Sequence, residues 1–250
     1  QLGREAFSLA DVFQLFDTLQ FSALRGRVSK LPGAIEAEGL ASEAASEREE
    51  QQVIDRSVFL NASLAELQAI KGPIAIAIEG EFAQGSGLIS SLAVCTADSI
   101  YVVPEISVSH ERECVQWLAT CESEKTVHDG KWFLWALATS GIDISAVTIA
   151  MDTALAGYLV DPGQRSYELA DLVQRELGAS IDAPEDQLSM FSETDESASL
   201  VQSATLIWDL GSALTLTLER LDLTDLLHNM EIPTEIALAQ MEHVGIAVDS

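Results

Sequence analysis

Carboxylates dominate the reactive side chains of this sequence. Of its 250 residues, 40 are Asp or Glu, against 13 Lys and Arg, 4 His and 3 Cys. Acids at such density could build a metal-rich site, because hard divalent cations favour oxygen ligands and need several to converge. Glu79 and Glu81 stand two residues apart in the run IEGEF, so on an extended strand both carboxylates can face one side. The plainer alternative is a pair of solvated acids at a strand end.

Other chemistries find little support. His110, His128, His228 and His243 are scattered, with no H-E-x-x-H pattern. No serine sits in a G-x-S-x-G elbow. Cys95, Cys114 and Cys121 form no C-x-x-C pair and have no histidine at zinc-finger spacing. An odd count without a secretion signal reads as reduced thiols in a cytosolic protein. Cys114 and Cys121, a heptad apart on an apolar helical stretch, are expected in the core. Gly85-Ser86-Gly87 lacks both a following helix and the lysine of a phosphate loop, which leaves a hairpin turn. Trp117, Trp132, Trp135 and Trp208 fall on expected helices, where core packing is favoured over base stacking.

The formal charge is −27, yet 48% of residues are hydrophobic, enough for a real core. Nucleic-acid binders neutralise phosphates with Lys and Arg. Here no Lys or Arg lies between Lys71 and Arg112, between Arg175 and Arg220, or after Arg220. Autonomous DNA binding is therefore expected to be weak or absent, although a place inside a larger DNA enzyme remains open. No apolar run reaches the ~18–20 residues that span a bilayer, so no membrane partner is expected. The chain opens on Gln1 without a basic segment and apolar stretch behind it, which points to a fragment or processed chain rather than a signal peptide.

The elements that would position these residues follow from periodicity. Residues 8–30 read as a helix capped by Ser8, with Leu9, Val12, Phe13, Phe16, Leu19 and Leu24 at near-helical spacing. From 34 to 56 that periodicity is lost in Ala, Glu, Ser and Gln, which predicts a linker. Pro73–Glu79, Leu88–Thr96 and Ser99–Val103 read as three strands joined by short turns, hence antiparallel hairpins. Next come helix 110–121, strand 125–128, helix 131–140 ending at Gly141, and a final strand 147–150. This predicts a mixed sheet flanked by helices. Helices follow at 152–160 and 167–177. An acidic loop at 179–198 is expected to be solvated, and helices resume at 199–221, 223–229 and 233–243.

Three segments, in order, resemble family A bacterial DNA polymerase I. Leu15–Val28 (LFDTLQFSALRGRV) resembles the last helix of the family's 5′ nuclease region. Met151–Leu172 (MDTALAGYLVDPGQRSYELADL) resembles its exonuclease-domain stretch, with an Asp-Thr opening a helix and a Tyr-Leu-x-x-Pro-Gly turn. Met230–Asp249 (MEIPTEIALAQMEHVGIAVD) resembles the start of its polymerase region. The resemblance covers about three quarters of the chain and implies a domain plan. Residues 1–33 would end a 5′ nuclease and 34–69 would form an acidic linker. Residues 70–222 would be a 3′–5′ exonuclease-like domain of ribonuclease H-like fold, and 223–250 would open the polymerase region. The fold class implied is α/β: a mixed sheet of three antiparallel strands and then parallel ones, flanked by helices, with extra N- and C-terminal helices.

Proofreading in this family needs two metal ions held by carboxylates from three motifs. In the first, Asp-x-Glu, Glu79 takes the Asp position and Glu81 the Glu position; Glu79 is a methylene too long, and metal geometry is sensitive at that scale. The second resembles Gln-Asn-x-Lys-Tyr-Asp, matched by His128–Phe133. Lys131 and Trp132 fit, but Phe133 fills the metal-linked Asp position, and Asp129, at the Asn position, is expected to cap the helix. The third is Tyr-x-x-x-Asp, for which the resemblance gives Leu206 and Leu210. Asp209 is adjacent but rotated by about 100° on a helix.

Catalytic residues and a metal are thus not expected, Glu79 and Glu81 being the weak candidates for ligands. The resemblance implies a silent exonuclease-like scaffold in a bacterial, cytoplasmic polymerase of replication and repair. Mg²⁺ belongs to the parent enzyme, DNA is met through it, and the partner is the rest of that chain. The alternative is an active metal-dependent exonuclease using Glu79 and Glu81.

Overall fold

A computed structural model describes residues 56–106, 108–178 and 195–247, together with the pairs 7–8 and 34–35. The chain divides into two compact units, Gln1–Ile54 and Asp55–Ser250. Of the first, only the parallel pairing of Phe7–Ser8 with Ala34–Ile35 is described. Ser8, expected as a helix cap, lies in that pairing, because its backbone is extended against Ile35. The rest of the expected helix 8–30, and the linker 34–56 apart from Ala34, Ile35 and Arg56, lie outside the described residues.

The second unit is built on a six-stranded mixed sheet. Its strands are β1 (Ser57–Leu60), β2 (Ile74–Ala83), β3 (Ser86–Cys95), β4 (Ser99–Val103), β5 (Lys125–Val127) and β6 (Met151–Asp152). They are ordered β1-β4-β3-β2-β5-β6. β2, β3 and β4 pair antiparallel, while β5 and β6 join β2 in parallel. This is the expected sheet with one strand more.

That extra strand corrects the expected linker 34–69. Residues 57–60 form β1, parallel to β4 at the sheet edge, and Leu64–Ala69 forms helix α1. Ser63 and Glu66 close a reciprocal capping box at its start, Glu66 Oε2 accepting from Ser63 N at 2.7 Å. Leu67 from this helix is fully buried, which anchors the segment in the core.

The helices are α2 (Val108–Thr120), α3 (Gly130–Thr139), α4 (Thr153–Val160), α5 (Leu169–Leu172), α6 (Asp195–Leu221), α7 (Thr224–Leu226) and α8 (Ile232–Val244). α5 and α7 each run on into a wider turn, at Val173–Leu177 and Leu227–Glu231. α6 starts four residues before the expected 199, so the end of the expected loop 179–198 is helical. Residues 179–194 lie outside the described residues.

The expected strand 147–150 is displaced. Val147 N donates to Ile144 O at 3.2 Å, closing a short 3₁₀ turn over Ile144–Ala146. Ala150 N first meets the sheet, at Lys125 O (2.9 Å), so β6 begins only at Met151.

Alternation along β2 separates two cores. Ile74 and Ile76 enter the larger, with α3 and the second half of α6. Ala75 and Ala77 enter the smaller, with Leu200, Val201, Ala204 and Ile207 of α6. α3 is buried almost all round, as expected for a helix of low polarity inside a layered fold. Cys95 and Cys114 are buried and free; Cys121 falls just past α2 and is half-buried. Trp117 and Trp135 pack in the core, but Trp132 is 48% exposed and stacks on Phe82 at 5.4 Å.

Candidate functional site

Glu79 and Glu81 lie where the β2–β3 hairpin widens. The register shifts between Glu79 and Gly80, leaving Ser90 of β3 as the extra residue. Gly80 is required there: a Cβ would stand 1.9 Å from Leu88 O. Because the extra residue is on β3, β2 keeps its alternation, and Glu79 and Glu81 share the face of Ala75 and Ala77. Glu79 is half-buried and Glu81 exposed. Ser90 Oγ donates to the Glu79 carbonyl at 3.2 Å.

The second motif is well formed as structure. Asp129 precedes α3 in the left-handed region, φ 52°, a conformation that Asp tolerates better than most residues. Its side chain makes no capping hydrogen bond, which corrects the expected cap. The carboxylate that takes the first amide of α3 is Asp152, whose Oδ2 accepts from Gly130 N at 2.5 Å. Its Oδ1 accepts from Ala154 N (2.7 Å) and Leu155 N (3.2 Å) and so caps α4. One fully buried aspartate thus starts two helices. Burial, and then the neighbouring Asp152 carboxylate, raise the pKa of Asp129. His128 Nδ1 lies 2.8 Å from Thr153 Oγ1, and burial lowers the pKa of its ring. Phe133, which the resemblance puts at an acid position, is 2% exposed inside the larger core.

The third pair is misplaced relative to the first. A Cβ on Gly211 would stand 2.8 Å from Thr126 Cγ2, and Thr126 is paired with Ala75. Leu210, its neighbour, is therefore level with Ala75, four residues before Glu79, or about 13 Å along the strand. Leu210 is fully buried and Leu206 half-buried against the larger core. Asp209 is committed elsewhere: its Oδ1 accepts from Arg56 Nη2 at 2.8 Å. Earlier turns of α6, with Leu200, Val201 and Ala204, share the smaller core with Ala77, Ala93 and Val102. The first half of α6 thus lies nearer the level of Glu79 than Leu210 does. The signal was present in the sequence: Phe191-x-x-x-Asp195 keeps an aromatic-x-x-x-Asp spacing. Phe191 and the side chain of Asp195 lie outside the described residues.

A two-metal site needs several converging acids. Among the described residues no three His, Cys, Asp or Glu side chains are grouped to hold a metal, and Phe133 offers no donor. The described residues do not fit such a site.

The six-stranded mixed sheet with its flanking helices defines an α/β, ribonuclease H-like fold. Solved structures agree: Brucella melitensis NrnC with bound Mg²⁺ superposes with a TM-score of 0.57 at 16% identity, covering 78% of this chain and 98% of that one. At that identity the likeness concerns the fold. Residues 86–186 match the family model described as DNA polymerase I, ribonuclease H-like domain. DNA polymerase I of Mycobacterium leprae is 33% identical over 95% of this chain and 27% of its own length. That of Bacillus subtilis is 24% identical over 99% of this chain and 27% of its own. The structure described as the POL domain of Pol1 from M. smegmatis, in complex with DNA primer-template and dNTP, superposes with a TM-score of 0.60. It is 30% identical, covering 78% of this chain and 33% of that one. The chain belongs to the DNA polymerase I family and carries its ribonuclease H-like domain. It spans about a quarter of the length of the curated relatives it matches.

Proposed function

We propose that this chain is a catalytically silent exonuclease-like scaffold within a bacterial, cytoplasmic DNA polymerase I that serves replication and repair. The observation that carries this reading is Phe133. Its ring is fully packed, at the position where the resemblance puts a metal-binding acid. The longer Glu79 at the first Asp position supports the same conclusion. The domain would hold the polymerase region through α8, and residues 34–56 would tether the 5′ nuclease and set its reach. DNA would be met through the whole enzyme, whose Mg²⁺ would serve nucleotide addition elsewhere. With 40 acids against 13 bases, the chain itself would bind DNA weakly or not at all.

The second reading, an active exonuclease on Glu79 and Glu81, draws support from the sequence spacing Phe191-x-x-x-Asp195, whose acid opens α6. An assay on single-stranded DNA with Mg²⁺ or Mn²⁺ separates the two. The scaffold reading expects no metal-dependent degradation, and titration calorimetry with Mn²⁺ expects no site tighter than about millimolar. Degradation abolished by Glu79→Ala, Glu81→Ala or Asp195→Ala would establish the exonuclease instead.

A further inference from the structure

Two buried carboxyl groups meet where α8 packs on the body of the domain. Asp152 is 0% and Glu235 7% exposed. Around the position that a Cβ on Gly130 would occupy, Asp152 Oδ2 and Glu235 Oε2 each lie 3.0 Å away, so the two oxygens face one small space. Asp152 is already supplied with three backbone N–H donors, from Gly130, Ala154 and Leu155. Glu235 Oε2 is buried and takes no hydrogen bond from any N–H or O–H donor. Two ionised carboxylates so placed would repel strongly at low local dielectric. One proton between them turns the contact into a charge-assisted hydrogen bond.

We infer that Glu235 and Asp152 share one proton, which fastens α8 to the ribonuclease H-like core, and that this joint loosens as the pH rises. The neighbouring charges favour retention of the proton. Asp129 adds a further negative charge from the turn before α3. His128 is beside Thr153, and burial disfavours the charged form of its ring. Glu168 acts on both His128 and Asp129. The cation that opposes this, Lys131 of α3, is engaged by Glu242 of α8 at 3.3 Å. Burial first, and then Asp152, push Glu235 up to about 9. Gly130 has no side chain to wedge the pair apart, and a Cβ would press on both oxygens.

The direction of the pH effect follows. Docked α8 keeps the proton to about pH 9, whereas a freed Glu235 releases it near 4.5. Between those values the undocked state binds fewer protons, so docking weakens as the pH rises. The limit is tenfold in the docking constant per pH unit for one proton. The joint is independent of whether the domain degrades DNA.

The test uses the 250-residue chain and its Glu235→Gln variant, which keeps a donor toward Asp152 without a titrating proton. Hydrogen exchange of the α8 amides, corrected for intrinsic rates, is followed from about pH 7 to 9, above the ordinary range of His128. Wild-type protection should fall by up to tenfold per unit, while Glu235→Gln stays flat and melts higher at the alkaline end. Infrared difference spectra of the wild type should show a carboxylic-acid C=O stretch at neutral pH that disappears on alkaline titration. Equal pH slopes in the two proteins would overturn the inference. So would the absence of that stretch in the wild type, a readout that holds even if the variant fails to fold.

Discussion

At the residue scale the proposed silence of the site turns on Phe133, which occupies the position that the resemblance gives to an acid. Its ring is 2% exposed among Leu134, Leu137 and other core side chains. Phe133→Asp would leave a cavity and bury a carboxyl without a partner. It is expected to cost about 4 kcal/mol or more in urea unfolding, easing at acid pH where the carboxyl is neutral. A loss below about 1 kcal/mol would mean that the position is open to solvent. The reading of Phe133 at an acid position rests on the sequence, where Lys131-Trp132 anchors the motif; what the structure adds is that the motif opens a helix and that the ring is buried. The third motif was not legible in the same way. A long apolar helix repeats every 3.6 residues and offers several equivalent alignments, so Leu210 matched in sequence while standing level with Ala75, about 13 Å of strand from Glu79. Asp152 was visible as the head of a helix, but its reach to Gly130 was not, since 22 residues separate donor and acceptor.

At the element scale the sequence disclosed the strands that alternate and the helices that are apolar. It concealed β1, four residues at the border of an acidic stretch. β1 pairs with β4 about forty residues later, and a parallel partner that distant leaves no local turn signal. The signal that did exist was Ser63-x-x-Glu66, the capping box of α1. What ties this edge to the body is Arg56, whose side chain is 4% exposed and pairs with Asp209 of α6, with its guanidinium also 5.9 Å from the Trp208 ring. Asp209→Ala would strand a buried guanidinium. Because Asp209 is itself 38% exposed, the expected loss is reduced to about 1–3 kcal/mol in chemical denaturation. The double variant Arg56→Met, Asp209→Leu should recover part of that loss, since both charges then leave together. If the single variant were as stable as wild type, β1 would be held by its ladder alone.

At the scale of the whole molecule the excess of acids acts against the compact state. Twenty-seven net negative charges repel one another, and exposed ion pairs offset little of that repulsion. Screening should therefore stabilise this protein, because the Debye length falls from about 30 Å at 0.01 M salt to about 3 Å at 1 M. Raising NaCl across that range is expected to increase Tm by a few degrees, corresponding to about 1–2 kcal/mol for a chain of this size. A domain stabilised mainly by its Arg56–Asp209 and Lys131–Glu242 pairs would show the reverse slope. The same charge makes a second readout informative. A DNA-binding surface built from Lys and Arg tightens steeply as salt is lowered. Here the repulsion between chain and phosphates grows instead, so anisotropy with labelled single-stranded DNA should remain flat at low salt. Tight, salt-sensitive binding would require the few basic residues, such as Lys131 beside the exposed Trp132, to form a local patch strong enough to outweigh the total.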